Sequence, residues 1–216
     1  MTAWDAERFI AEALASAQAQ TLPLDEVVVV DDGSTDGTAE VAAGFAGVRV
    51  LRRDHEGIGR ARNAGIAATT GELVCFLDAD DVWSPTKVER QVAAFAAEPT
   101  LECTFCHFDE FVDPSASEAA VATRPPKTGV GGALVSTAML RRSLIERLGP
   151  FSASTTGEWV EWWAVARSAG VHEVTLPDVL VRRRIHDANN SAQQSIAGHA
   201  AFLAAARAHR RGRAQP

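Results

Sequence analysis

The chain has 216 residues, 46% hydrophobic and 23% charged, which is the composition of an ordinary soluble globular domain large enough to bury a proper core. A formal charge of -7 and a pI near 5.4 exclude a nucleic-acid binder that works by counterion release, since no basic face is evident before residue 200. No stretch approaches the roughly 18 apolar residues of a membrane helix, and the N-terminus lacks a charged-then-apolar signal, so the expected compartment is the cytoplasm. Three cysteines, an odd number, speak against a disulfide framework. Cys103-Thr-Phe-Cys106-His107 spells a haem-attachment motif, but attachment needs export and the segment reads as a strand, so buried strand cysteines are expected instead.

In chain order, Phe9, Ile10, Ala13, Leu14 and Ala17 recur at helical spacing and predict an amphipathic helix over 6–20, with Asp5 as its N-cap. Residues 26–30 are a short β-branched run and predict a buried strand, ending in Asp31-Asp32-Gly33-Ser34-Thr35-Asp36-Gly37-Thr38. Gly33 and Gly37 permit a sharp turn there, and Thr35 or Asp36 caps a helix that runs to about Phe45. A strand over 48–51 and a helix over 57–68 follow; the helix carries Arg60, Arg62 and Asn63 and stops at Thr70-Gly71. The apolar run 72–77 is too short for a helix and reads as a strand buried on both faces. Ser84-Pro85 opens a helix over 85–97, Pro99 breaks the chain, and 101–108 is the strand with the cysteines.

Beyond residue 100 the alternation loosens. Residues 112–128, rich in Pro, Ser and Ala, predict a long polar connection. Then come an extended segment over 129–137, a helix over 139–148 stopped by Gly149-Pro150, and a Trp-rich helix over 158–169. Short strands over 171–176 and 178–184 flank Pro177, and a helix over 195–209 closes the chain before a basic tail. One domain over 1–216 is expected, with a nucleotide-type half (1–100), a more irregular half (101–190) and a C-terminal helix and tail (191–216). Strands alternating with helices imply parallel βαβ units, in which ligands sit beyond the carboxyl ends of the strands.

Both acidic clusters fall at such ends: Asp31 and Asp32 after the 26–30 strand, and Asp78, Asp80 and Asp81 after 72–77. In extended chain, residues two apart point to one side, so Asp78 and Asp80 can converge on one cation or one polyol. Hard carboxylate oxygens suit Mg²⁺ or Mn²⁺, especially where substrate phosphates complete the shell. A capping role is already taken by Ser84, which leaves the pair for ligation. Arg60, Arg62 and Asn63 stand on the intervening helix, from which they can approach a base or its phosphates, or form a solvated face.

The segments VVVVDDGSTDGT, HEGIGRARNAGIAATTGELVCFLDADD, LVSTAMLRRSLIERLGPF, GEWVEWW and RRRIHDANNS, in this order and spacing, resemble the family-2 glycosyltransferases with the GT-A fold over nearly the whole chain. The resemblance implies an α/β fold of GT-A type: a mostly parallel nucleotide-binding sheet flanked by helices, with a mixed C-terminal half. It implies transfer of a sugar, with inversion, from a nucleotide diphosphate sugar, UDP-sugar first, to an acceptor that is a glycan, lipid, peptide or small molecule. Asp32 matches the residue that accepts a hydrogen bond from the uracil ring, with Asp31 beside it. Asp80, with Asp78, matches the metal ligand, and His186 stands where some relatives have a further ligand. Relatives carry Glu-Asp at the start of the late Trp-rich helix, with the Asp as base; here Trp159 holds that place, so Glu158 is the candidate base and Glu161 the second, with Trp162 a candidate acceptor platform. A homodimer is left open.

Relatives also begin with a full buried strand between the two acid-bearing strands, whereas this sequence starts at Met1-Thr-Ala-Trp-Asp5. Residues 1–4 are therefore expected as a stub on the edge of the 26–30 strand, with the true start upstream or the gap closed by direct pairing, another chain or water. This departure and Trp159 motivate a second reading, a nucleotide-sugar-binding protein with little turnover. A third, a phosphoacceptor receiver domain, fits less: a receiver begins near its first acidic pair and ends a later strand in Lys, whereas Lys127 follows Pro125-Pro126 in a loop.

Overall fold

A computed structural model describes residues 1–153, 157–187 and 189; the helix expected over 195–209 and the basic tail lie outside the described residues. The strands form two sheets. The first is parallel, in the order β1 (Thr2–Ala3), β2 (Val27–Asp31), β3 (Val48–Arg52). The second is mixed and contains β4 (Leu73–Cys75), β5 (Val82–Trp83), β6 (Cys103–Val112), β7 (Val130–Gly131), β8 (Met139–Arg141) and β9 (Glu173–Ile185). Its order is β4-β8-β6-β9-β5, with β7 on β6, and only the β6–β9 pair is parallel. One sheet is thus parallel and the other mixed, as the family fold implies, but β4 and β5 of the front half pair antiparallel in the mixed sheet rather than as parallel βαβ units, and the two sheets are separate, joined by an isolated parallel bridge between Thr2 and Asp78.

That bridge positions the site. Thr2 and Ala3 pair with Val30 and Asp31 on one side, and Thr2 meets Asp78 on the other. The N-terminal stub therefore pairs with β2 as expected but lies between the two acid-bearing strands rather than on a free edge. Because it is only two residues long, a cavity of about 90 Å³ continues behind it, lined by Val27 and Val28 of β2, Val74 and Phe76 around β4, and Ile66 and Trp83.

Helices cover both sheets: α1 (Ile10–Gln18), α2 (Thr38–Ala43), α3 (Ile58–Ala67), α4 (Lys87–Ala97), α5 (Glu118–Thr123), α6 (Arg142–Leu148) and α7 (Glu158–Ser168). One core packs α6 and α7 on the mixed sheet, where Trp159, Trp162 and Trp163 meet Phe105 and Phe151. A second packs α1 and α4 on its other side around Trp83, Phe95 and Met139. A third places Ile10 and Leu14 of α1 over Val29 of β2.

Several local expectations differ from the structure. Ser84 does not cap α4, which begins at Lys87 with Thr86 as an N-cap that makes no side-chain bond. Asp5 does not cap α1, whose N-cap is Phe9 without a side-chain bond; Asp5 has φ 46° and accepts from Thr35 N at 2.7 Å, tying the stub to the acidic turn. Residues 139–141 are strand β8, not the first turn of a helix, because they pair with β4 and β6 from distant chain. The 112–128 connection contains the short α5, capped by Ser117, whose side chain accepts from Ala120 N. The segments flanking Pro177 are one strand: Pro lacks an N–H, and the ladder with β6 absorbs it as register shifts around His107.

Candidate active site

The parallel sheet delivers the first acids. Asp31 ends β2, is buried, and accepts from Ser34 N at 3.2 Å and from the Ser34 hydroxyl, so it holds the turn. Asp32 is 3% exposed and aims at the start of α3, where Oδ1 accepts from Glu56 N at 3.0 Å and Oδ2 from Gly57 N at 2.9 Å. A carboxylate on free N–H groups at a helix start is favourable in charge as well as in hydrogen bonding. His55 Nδ1 lies 3.0 Å from Asp32 Oδ2, and the exposed Trp4 stacks on the His55 ring at 4.7 Å. The approach requires Gly33: its φ is +79°, and a Cβ there would lie 2.7 Å from His55 N.

The second acids follow β4. Asp78 keeps 35% of its side chain exposed, whereas Asp81 is buried at 3%. Burial pushes the Asp78 carboxyl above its ordinary value; Arg62 opposes the rise and the Asp80 charge adds to it. Burial, then the charges of Asp80 and Asp78, push Asp81 well above its ordinary value. Asp80 Oδ2 lies 3.0 Å from His186 Nε2 and accepts from Asn189 Nδ2 at 3.1 Å, while His186 packs on Phe9 with ring centroids 4.4 Å apart. Among the described residues, no three His, Cys, Asp or Glu side chains already converge as a ligand cluster. The donor types nevertheless fit Mg²⁺ or Mn²⁺: the hard Asp80 carboxylate lies against the His186 imidazole, the charge of Asp80 acts on Asp78, and the crowding that disfavours the ionised acids is what a divalent cation relieves.

The third group comes from α3 and α7. Arg62 is 3% exposed; its Nη1 pairs with Glu158 Oε1, its Nη2 lies 3.8 Å from Asp78 Oδ1, and its guanidinium packs over Phe76 and Phe151. One buried cation thus links the late helix to the acidic loop. Arg60 is exposed and pairs with Glu56 at 2.8 Å. Asn63 exchanges two hydrogen bonds with the backbone of Phe151, at 2.8 and 2.9 Å, and anchors the segment before α7. Glu161 accepts from the Ser152 hydroxyl at 2.6 Å. Trp162 is 4% exposed, donates from Nε1 to Gly149 O at 2.9 Å and stacks on Trp159, so it sits in the core cluster.

The family model for glycosyl transferase family 2 matches residues 1–149. The chain belongs to glycosyltransferase family 2. An uncharacterised glycosyltransferase of Nostoc sp. (strain PCC 7120) is 32% identical over 202 residues, covering 85% of this chain and 62% of that protein. Among solved structures, S. aureus TarS 1-349 in complex with UDP-GlcNAc superposes with a TM-score of 0.71 at 22% identity, over 88% of this chain and 59% of that one. The mannosyltransferase PcManGT of Pyrobaculum calidifontis, in complex with GDP-Man and Mn²⁺, gives 0.69 at 25% identity, over 89% and 57%. The likeness to TarS is one of fold. The chain spans less than two thirds of the Nostoc relative and of both these structures.

Within this family member the structure brings Asp32, Asp78, Asp80 and His186 to one rim and ties Glu158 to it through Arg62. It pairs Arg60 at the surface and commits Asn63 to the Phe151 backbone. Sequence reading missed Trp4, His55, Phe9, Arg184 and Asn189. His55 carried a local signal, since it opens the HEGIGRARN segment, whereas the others gain their roles only from distant partners.

Proposed function

We propose that this chain moves a sugar from a nucleotide diphosphate sugar, with UDP-sugars the first choice of donor, to an acceptor hydroxyl or related nucleophile, with inversion and with Mn²⁺ or Mg²⁺. The observation that carries the reading is the two-residue stub that pairs Ala3 with Asp31 and Thr2 with Asp78, because it puts both acidic loops on one rim of the molecule. Family membership and solved relatives with UDP-GlcNAc or with GDP-Man and Mn²⁺ support it.

In this mechanism Asp32 orients the base, and Trp4 and His55 lie beside it. Asp78, Asp80 and His186 would hold the cation, which when bound supplies positive charge against the departing diphosphate. Glu158 takes the acceptor's proton while the new carbon–oxygen bond forms on the face opposite the breaking bond to phosphate. Arg62, between Glu158 and Asp78, holds the base side of the site to the donor side. Glu161, one turn further along α7, is the second choice of base.

The test is a panel of UDP-, GDP- and dTDP-sugars with Mn²⁺, read as release of nucleoside diphosphate and as the anomeric configuration of the product. Release that is lost in Asp80→Ala and falls at least about 100-fold in Glu158→Gln is expected. Saturable donor binding without release, or retained activity in Asp80→Ala, would overturn the proposal.

A further inference from the structure

The Asp78–Asp81 loop carries three carboxylates within four residues, and neither β4 nor β5, which flank it, supplies a cation. The guanidinium that meets its backbone comes from the far end of β9. Arg184 is 5% exposed; its Nε donates to Asp80 O at 3.0 Å, and its backbone N donates to Asp81 Oδ1 at 3.2 Å. The rest of the side chain is clamped. Nη1 donates to Asp113 Oδ2 at 3.2 Å, Nη2 pairs with Glu12, and the guanidinium lies 5.1 Å from the Phe9 centroid and 4.6 Å from that of Phe111. Asp113 is held in turn by Arg8 and by Ser115.

Arg184 also reaches the Asp80 carboxylate indirectly. Its carbonyl accepts from Asn189 Nδ2 at 3.1 Å, and the same amide nitrogen donates to Asp80 Oδ2 at 3.1 Å. Phe9, which packs on the guanidinium, packs also on His186, the other group beside Asp80. The fixed Arg184 side chain therefore holds the main chain of Asp80 and the Phe9 ring on which His186 sits, and the backbone carbonyl of the same residue seats the amide that holds the Asp80 carboxylate.

We propose that Arg184 is a positioning residue for the cation site: without touching cation or donor, it holds Asp80 and His186 in the geometry that binds a divalent metal. This rests on the reading that Asp80 ligates the metal. Partners that orient metal ligands typically change affinity by about 10- to 100-fold when removed. Lysine cannot replace the fork, because an ammonium is a point donor without the planar geometry that meets Asp80 O and Asp113 together and stacks between two rings.

The test is Mn²⁺ affinity, measured without turnover by paramagnetic resonance of free Mn²⁺ in the presence of UDP, alongside thermal unfolding. Wild type is expected to bind and Asp80→Ala to lose binding. Arg184→Lys and Asn189→Ala are each expected to weaken Mn²⁺ binding by about tenfold or more, with UDP binding in the absence of metal unchanged. Should Arg184→Lys fold poorly, Asn189→Ala decides on the relay itself, since it removes the amide that joins Arg184 O to Asp80 Oδ2 and accepts from His186 N while leaving the guanidinium in place. Mn²⁺ affinity within twofold of wild type in a folded Arg184→Lys or in Asn189→Ala overturns the positioning role. Absence of Mn²⁺ binding in the wild type, or full binding in Asp80→Ala, instead overturns the reading of the metal site.

Discussion

Replacing Arg62 with Met tests the electrostatics that join α7 to the donor acids. Arg62 and Glu158 are 3% and 4% exposed, so neither charge is solvated on its own. Removing one partner of a buried pair strands the other and costs about 3–5 kcal/mol. Methionine fills most of the volume between Phe76 and Phe151 and keeps a sulfur–aromatic contact in place of the cation–π one, so packing adds little to that figure. Against a total stability on the order of 5–15 kcal/mol, the loss is about a fifth or more. The double variant Arg62→Met/Glu158→Met strands no charge on α7 and is expected to cost less than either single change. Urea denaturation followed by fluorescence reads this well, because Trp159, Trp162 and Trp163 sit in the core beside the pair. With a slope of about 2 kcal/mol per molar, the single variant's midpoint falls by about 1.5–2.5 M, and the double recovers much of it. A single-variant cost below about 1 kcal/mol, or a double whose cost is the sum of the singles, would refute the claim that the two charges support each other.

Three further outcomes are expected. Burial alone would raise the Asp113 carboxyl, but hydrogen bonds from Ser115 and the Arg8 and Arg184 guanidiniums hold it at about 2. A carboxyl depressed in the folded state stabilises fully above its unfolded value of about 4 and loses that contribution as pH falls toward 2, so Asp113→Asn should flatten the melting temperature against pH across that window. Gly33→Ala places a Cβ 2.7 Å from His55 N at φ +79° and should cost roughly 1–3 kcal/mol, with weaker donor binding because His55 and the α3 start must shift from Asp32; calorimetry of UDP binding and thermal unfolding check it. Trp159→Phe should destabilise by about 1 kcal/mol more than Trp163→Phe, since Trp159 Nε1 donates to Ala133 O while Trp163 Nε1 has no partner among the described residues; equal costs in denaturant would contradict it.

Much of the front half was legible because its signals are local. A β-branched run such as Val27–Asp31 cannot be confused with an amphipathic helix, and the glycines after it mark the turn on which Asp32 sits. The same holds for the apolar run before Asp78. Residues 139–141 read as helix because their apolar spacing continues into α6; only pairing with β4 and β6 makes them strand. The division into two sheets was illegible for a similar reason, since it depends on how much chain the stub offers between β2 and Asp78, not on any pattern within either strand. Trp162 was a reasonable platform by residue type, but its burial follows from neighbours that the sequence does not identify.

The acidic loop shows why the site itself was only half readable. Three carboxylates in four residues announce a ligand, yet taken alone they predict repulsion and an open loop. What makes the loop tolerable in the folded chain arrives from elsewhere: the charges of Arg62 from α3 and Arg183 from β9, and the main-chain support of Arg184, whose own carboxylate partners Asp113 and Glu12 lie 71 and 172 positions away along the chain. No local pattern encodes such a match, because each arginine on its own helix or strand looks like a solvated surface charge. The acids could be placed early because their function depends on strand ends, and their supports could not because those depend on the assembled sheet.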